Sequence, residues 1–198
     1  MTTTSVRHCT DMTASAHDIA RELRNMLPNI GVVKLHKLLY YAQGHHLVMF
    51  GELLFEQPIE AWANGPVVAA LWADEKHGRA RPPAKDVPGV AIETLRYVVE
   101  RYGRLSSREL IDKTHAEDPW RSVSESDDAA LAGDPRINDE VLRTWFEQDP
   151  EHVTYKAEAE RLRARRDIYT LEPRPLATFE HEAIDRALRG ERVVHWPK

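Results

Sequence analysis

Residues 34–72 read KLHKLLYYAQGHHLVMFGELLFEQPIEAWANGPVVAALW, and this stretch decides the fold. Apolar side chains surround most of the helix that the pattern predicts from about Val32 to Phe50, and a helix of this kind is usually enclosed by other helices. Gly51 predicts its end, because glycine readily takes the left-handed conformation that closes a helix. Residues 52–63 then predict two short strands or an extended arm. Asn64-Gly65-Pro66 predicts the start of a second helix, with proline at its first position.

Local helix signals flank this stretch on both sides. Ser15-Ala16-His17-Asp18 and Ser106-Ser107-Arg108-Glu109 have the spacing of capping boxes. Asn138 predicts the start of a helix that closes the domain, after a solvated loop at 121–137. The fold class is therefore mainly α, within the α+β class: a compact helical domain around a buried central helix, with a small β-hairpin or extended arm.

The chain divides into three parts. Residues 1–14 are expected to form a flexible leader, residues 15–147 the domain, and residues 148–198 a helical C-terminal extension with only a thin apolar stripe. Such an extension either packs on its own domain or covers a partner, and its sequence does not distinguish the two.

Composition excludes several classes of protein. The net charge of −5 argues against a broad nucleic-acid surface. The single cysteine, Cys9, cannot form an intramolecular disulfide or a thiolate cluster. No apolar run approaches the length of a transmembrane helix, and the N-terminus lacks the apolar region of a secretory signal. These features favour a cytoplasmic protein without a membrane partner.

Polar side chains interrupt the central helix. Tyr40, Tyr41, His45 and His46 are expected to satisfy their polar atoms on loop carbonyls, because neighbouring histidines on a helix point about 100° apart and suit a metal poorly. No metal site and no cofactor are therefore predicted. Gly44 inside the helix predicts the close approach of a neighbouring backbone.

A catalytic constellation is not evident. The strongest suspicion falls on His115 and Asp118, since a carboxylate can orient an imidazole as a general base. The alternative is structural: both residues close a helix C-terminus and position Trp120. No nucleophile motif, phosphate-binding loop or metal set accompanies them, so the structural interpretation is favoured and no catalytic residue is assigned.

Three motifs in fixed order resemble one family. KLHKLLYYAQGHHL at 34–47, PIEAWANGPVV at 58–68 and LIDKTHAEDPW at 110–120 look like the Panacea domain of SocA-like antitoxins, also known as GepA-like proteins. The resemblance covers about residues 17–147. The motif positions have structural rather than catalytic roles in the family; here they are Lys34, Leu35, Leu38, Tyr40, Tyr41, Trp62, Gly65, Pro66, His115, Pro119 and Trp120.

The resemblance implies a bacterial or phage antitoxin that neutralises a cognate protein toxin by direct binding. One alternative is an adaptor that delivers the toxin to a cytoplasmic protease, as one member of the family does; another is a cryptic hydrolase using His115 and Asp118. Formation of a homo-oligomer is left open. The extended arm and the C-terminal extension are expected to contact the partner, with anchors at Leu53, Phe55, Trp62, Tyr155, Leu162 and Trp196.

Overall fold

A computed structural model describes residues 14–79, 83–125 and 135–148. Its helices are α1 (Ala16–Met26), α2 (Val32–Phe50), α3 (Ala69–Lys76), α4 (Gly89–Tyr102), α5 (Ser107–His115), α6 (Asp118–Ser124) and α7 (Asp139–Gln148). Two strands, β1 (Ile59–Trp62) and β2 (Gly65–Val68), form one antiparallel hairpin. The predicted mainly α fold with a small β element is confirmed. Apart from Gln148, the predicted extension at 148–198 lies outside the described residues, and so does the predicted leader apart from Ala14.

Helix α2 is the centre of the core, as predicted. It packs against α1, α4, α5, α7 and β2, and Leu35, Leu38 and Leu39 on it are completely buried. The helix ends at Gly51, whose φ of 72° is the left-handed conformation expected of a glycine cap. Burial on nearly every side explains why apolar residues occur all around this helix.

Side-chain caps begin α1 and α5, and both predicted capping boxes are present. The Ser15 hydroxyl accepts from the backbone N–H of Asp18, whose carboxylate in turn accepts from the serine N–H. Ser106 and Glu109 make the same reciprocal pair at the start of α5. These boxes satisfy amides that the first helical turn leaves without partners, so the helix starts are set locally.

The hairpin differs from its prediction. Asn64-Gly65-Pro66 does not open a helix: Gly65 and Pro66 pair with Trp62 and Ala61 in the sheet, and α3 begins at Ala69. All four residues of β2 are buried. Tertiary burial of this strand against α2 outweighs the local helix-start signal. A proline is tolerated because β2 is an edge strand.

The segment before α7 also differs from its prediction. The sequence predicts a solvated loop from residue 121, but residues 118–124 form α6, with Pro119 in its first turn. Further along, the Ala61 N–H donates to the Pro135 carbonyl at 2.7 Å, and the Ile137 N–H donates to the Ile59 carbonyl at 2.8 Å. The chain therefore runs beside β1 before it enters α7.

A neighbouring group lies close to Gly44, as predicted, but it is a side chain and not the predicted backbone. A Cβ at this position would collide with the ring of Phe146 from α7. The same ring packs edge-on against Tyr40 and Tyr41. The glycine therefore lets α7 dock closely on the central helix.

Candidate functional site

The three sequence motifs meet at the hairpin. Nζ of Lys37 on α2 donates to the Pro66 carbonyl at 2.8 Å. From the α6 side, Trp120 Nε1 donates to the Trp62 carbonyl at 2.9 Å, and the His115 ring stacks on the Trp120 ring with centroids 3.8 Å apart. The hairpin is thus held between α2 and the junction of α5 with α6, which explains why the motifs occur together.

Gly65 at the hairpin turn is required for two reasons. Its φ of 89° lies in the region that other residues rarely adopt. A Cβ there would also lie 2.7 Å from Lys37 Cε and 2.8 Å from Thr114 Oγ1. The glycine therefore allows the hairpin to lie directly over the lysine side chain.

A buried carboxylate joins α2 to the chain between α5 and α6. Glu117 accepts from the Tyr40 hydroxyl at 2.8 Å and from the Tyr41 hydroxyl at 2.9 Å. Burial, reinforced by this carboxylate, raises the pKa of Tyr40 well above its usual value. Because all three side chains are in the core, the arrangement fixes the motif geometry and offers no group to a substrate.

The histidines of α2 bind partners other than the predicted loop carbonyls. A hydrogen bond of 2.9 Å joins His45 to the Tyr102 hydroxyl, and another of 2.9 Å joins His46 to the Thr94 hydroxyl. His36 Nδ1 accepts from the Val68 N–H at 3.2 Å. Within the described ranges, no group of three His, Cys, Asp or Glu side chains is arranged to hold a metal.

His115 and Asp118 are not arranged as a general-base pair in the described part of the chain. The carboxylate of Asp118 is 68% exposed and lies 3.9 Å from Arg121, and no hydrogen bond connects it to His115. Burial, followed by the nearby positive charge of Lys37, lowers the pKa of His115. His115 is the last residue of α5 and contacts Trp120, as the structural interpretation expected. Asp118 does not close that helix, because it is the first residue of α6.

A cavity of about 170 Å³ opens between the first turns of α2, the hairpin turn and α3. The surface that its walls expose is almost entirely apolar, although two nearly buried basic residues, His36 and Lys37, contribute to the lining. Trp62 and Trp72 form one side, with ring centroids 5.0 Å apart in an edge-to-face arrangement. Lys76 Nζ lies 4.4 Å from the Trp72 ring centroid, outside the cavity lining. The lining residues are Val32, Val33, His36, Lys37, Trp62, Ala63, Asn64, Val67 and Trp72.

Two valines of this cavity are exposed at the start of α2. Val32 is 48% and Val33 37% exposed. Among the described residues, one other large apolar side chain is exposed to this degree, Val141 on α7, at 39%. We call the surface formed by Val32, Val33, Trp62 and Trp72 the hairpin face.

The ionisable side chains that line the cavity, His36 and Lys37, are both basic and both nearly inaccessible to solvent. Burial lowers the pKa of Lys37 to about 8. Burial, followed by the charges of Lys37 and Arg24, lowers the pKa of His36 to about 4. At neutral pH the lysine is therefore mostly charged and the histidine neutral.

The predicted partner anchors fall into three groups. Trp62 is half-buried and lines the cavity, while half-buried Leu53 lies at a separate, more polar cleft near Arg136. Phe55 is completely buried, so its ring offers no surface to a partner in this conformation, because the arm folds back on α2. Tyr155, Leu162 and Trp196 lie outside the described residues.

The sequence did not show that the remaining cavity residues lie together. It predicted neither the burial of Lys37 at this cavity nor the exposure of Val32 and Val33. The available signal was a lysine on a helix predicted to be buried on most sides, since a buried lysine without a partner is costly. Trp72 lies on α3, which begins at Ala69, three residues after the start at Pro66 that the sequence predicts.

Comparisons with known proteins agree on one family. The family model described as "Antitoxin SocA-like, Panacea domain" matches residues 35–121. The chain is 30% identical over 135 residues to "Antitoxin SocA" of Caulobacter vibrioides (strain NA1000 / CB15N), an alignment that covers 59% of this chain and 72% of that protein. No solved structure matches significantly. In the described part of the chain, no helix has the length and apolar character needed to cross a bilayer.

Proposed function

We propose that this chain, which belongs to the SocA-like antitoxin family of Panacea-domain proteins, neutralises a cognate protein toxin by binding it directly. The observation that carries the proposal is this membership. The arrangement of the motif residues supports the proposal. Their polar groups form hydrogen bonds inside the core, and within the described ranges they do not form a catalytic set. A cytoplasmic location belongs to the same proposal.

The hairpin face is the surface that we propose for this contact. Exposed valines on a helix end beside two half-buried tryptophans form an apolar patch of the kind that protein partners cover. An ordinary interface takes about 800 Å² from each partner, more than this patch alone supplies. We therefore propose additional contacts from Leu53 on the arm and from the extension at 148–198, with Tyr155, Leu162 and Trp196 as anchors. Phe55 is not included because it is buried.

Direct binding is tested with the protein encoded beside this gene. Co-expression should restore growth that this toxin inhibits, and the two purified proteins should elute as one complex in size-exclusion chromatography without any protease. If the purified chain neither binds the toxin nor neutralises it, the proposal is wrong. Toxin half-life in cells separates the adaptor alternative, because sequestration leaves the toxin intact whereas an adaptor shortens its life only when the protease is present.

Two aspartate substitutions test the surface. Val32→Asp places a charge on the hairpin face, and an acidic residue is compatible with the first turn of a helix. Val141→Asp is the matched control, since this valine is exposed to a similar degree on α7. We expect the first variant to lose neutralisation and the second to keep it, with similar melting temperatures. Equal neutralisation by both variants would remove the hairpin face from the proposal.

A further inference from the structure

We propose that the cavity under the hairpin face receives an acidic side chain of the toxin, an aspartate or glutamate, whose carboxylate pairs with Lys37 while a neighbouring apolar residue covers Val32 and Val33. The inference rests on the proposed direct binding and names the chemistry of the partner at that site. It follows from the size of the cavity, the charge of its lining and the hydrogen bonds that the fold leaves unmade.

The size of the cavity selects a single side chain. Sites for small molecules and cofactors usually enclose about 300–1,000 Å³, whereas this one encloses about 170 Å³. Its apolar walls can pack against the methylene groups of an acidic side chain or against a flanking apolar residue.

The ionisable residues of the lining favour an anion. Lys37 is 1% exposed, and its ammonium has the Pro66 carbonyl as its hydrogen-bond partner. None of the residues lining the cavity is acidic, and among the described residues no carboxylate pairs with this lysine. A buried charge without a counter-charge is costly unless a partner supplies one. A neutral side chain could donate to the Pro66 carbonyl equally well. The fold therefore does not explain why a positively charged residue occupies position 37.

His36, which also lines the cavity, carries a second donor that the fold leaves unpaired. Because its Nδ1 accepts the Val68 N–H, the proton of the neutral ring is on Nε2. Nε2 is buried and has no hydrogen-bond partner in the described part of the chain. A carboxylate has several acceptor positions and can accept from both an ammonium and an imidazole N–H. The two basic residues therefore favour the same kind of ligand group.

The first test replaces Lys37 and measures binding to the toxin by isothermal titration calorimetry. Lys37→Met removes the charge and keeps a side chain of similar length, and it should weaken binding by at least about 10-fold. Lys34→Met is the control, because Lys34 lies on the same helix, donates to the Gly103 carbonyl and does not line the cavity. We expect the control to bind within about twofold of wild type. Unchanged binding by Lys37→Met overturns the inference.

The second test fills the site from within the chain. In Val33→Glu, a carboxylate lies four residues before Lys37 on α2, the spacing and order that favour an intrahelical ion pair. This carboxylate should compete with the toxin, so Val33→Glu should bind more weakly than Val33→Gln, which changes the same valine without adding charge. Val33→Glu should also melt at the higher temperature of the two. Equal affinities for the two variants contradict the inference.

The third test examines the toxin. Each aspartate and glutamate of the toxin is changed in turn to the corresponding amide. The affinity of each toxin variant is then measured for the wild-type antitoxin and for its Lys37→Met variant. One acidic position should weaken wild-type binding and have no further effect on the Lys37→Met variant, the non-additivity of a direct pair. If wild type binds the toxin and no acidic side chain couples to Lys37, the inference fails while direct binding stands. If wild type does not bind at all, the proposed function itself is wrong.

Discussion

Replacing Lys37 with methionine is expected to stabilise the free protein at neutral pH, although it removes a hydrogen bond. Burial lowers the pKa of this lysine from 10.5 to about 8, a shift that corresponds to about 3 kcal/mol of unfavourable free energy for the charged folded state. Methionine fills similar space without a charge. Loss of the bond to the Pro66 carbonyl costs about 1–2 kcal/mol. The variant should therefore be more stable by about 1–2 kcal/mol at pH 7.

The gain depends on pH in a defined direction. Since the folded pKa is lower than the unfolded one, the unfolded chain holds the proton more tightly between about pH 8 and 10.5. Wild-type stability therefore rises with pH in this window; the penalty is fully present below pH 8 and absent above pH 10.5. From pH 7 to pH 9.5 the wild type should regain about 2 kcal/mol, and the advantage of the variant should disappear.

Urea unfolding of the full chain, followed by tryptophan fluorescence at pH 7 and pH 9.5, measures these differences. Lys34→Met serves as the control for loss of a lysine charge from the same helix. If the difference in unfolding free energy between Lys37→Met and wild type is the same at both pH values, burial of Lys37 does not perturb its pKa and the reasoning is refuted.

Three further predictions concern the histidine, the hairpin turn and the C-terminal extension. Burial lowers the pKa of His36 from 6.5 to about 4. Between these pH values the unfolded chain binds a proton that the folded chain does not, so the protein should lose about 3 kcal/mol of stability as pH falls from 6.5 to 4. His36→Asn, which keeps an acceptor, should flatten this loss in urea titrations, and an unchanged slope would contradict the shift. Gly65→Ala should destabilise by at least about 1–3 kcal/mol because of its positive φ and tight surroundings, whereas Gly31→Ala, where a Cβ meets nothing within 4 Å, should not; equal thermal melts would refute this. Deleting residues 148–198 should weaken toxin neutralisation, and full-strength neutralisation by a folded truncated protein would exclude the extension from recognition.

Features that depend on neighbours in the chain could be predicted from the sequence. Both capping boxes, the span of α2 and the glycine cap at Gly51 were correct. Each relies on hydrogen bonds or backbone conformations within one helical turn. The enclosed position of α2 was also predictable, because a helix with apolar residues on most sides must be covered.

Features that depend on distant partners required the tertiary structure. The register of β1 with β2, the ring of Phe146 against Gly44 and the two tyrosines on Glu117 join residues far apart in the chain. Local signals at Asn64-Gly65-Pro66 favoured a helix and were overruled by burial of the strand. Contacts of this kind follow from packing, which periodicity does not encode.

The candidate functional site shows the same division between features that the sequence predicts and features that depend on the tertiary structure. From the sequence alone, the motifs determined the family, and Trp62 was predicted as a partner anchor. The burial of Lys37 beneath the hairpin, its lack of a carboxylate among the described residues, and the exposure of Val32 and Val33 were decided only by the tertiary structure. The physical reason is that the cost of a buried charge depends on which groups the fold brings within a few ångströms, and those groups come from separate helices and strands.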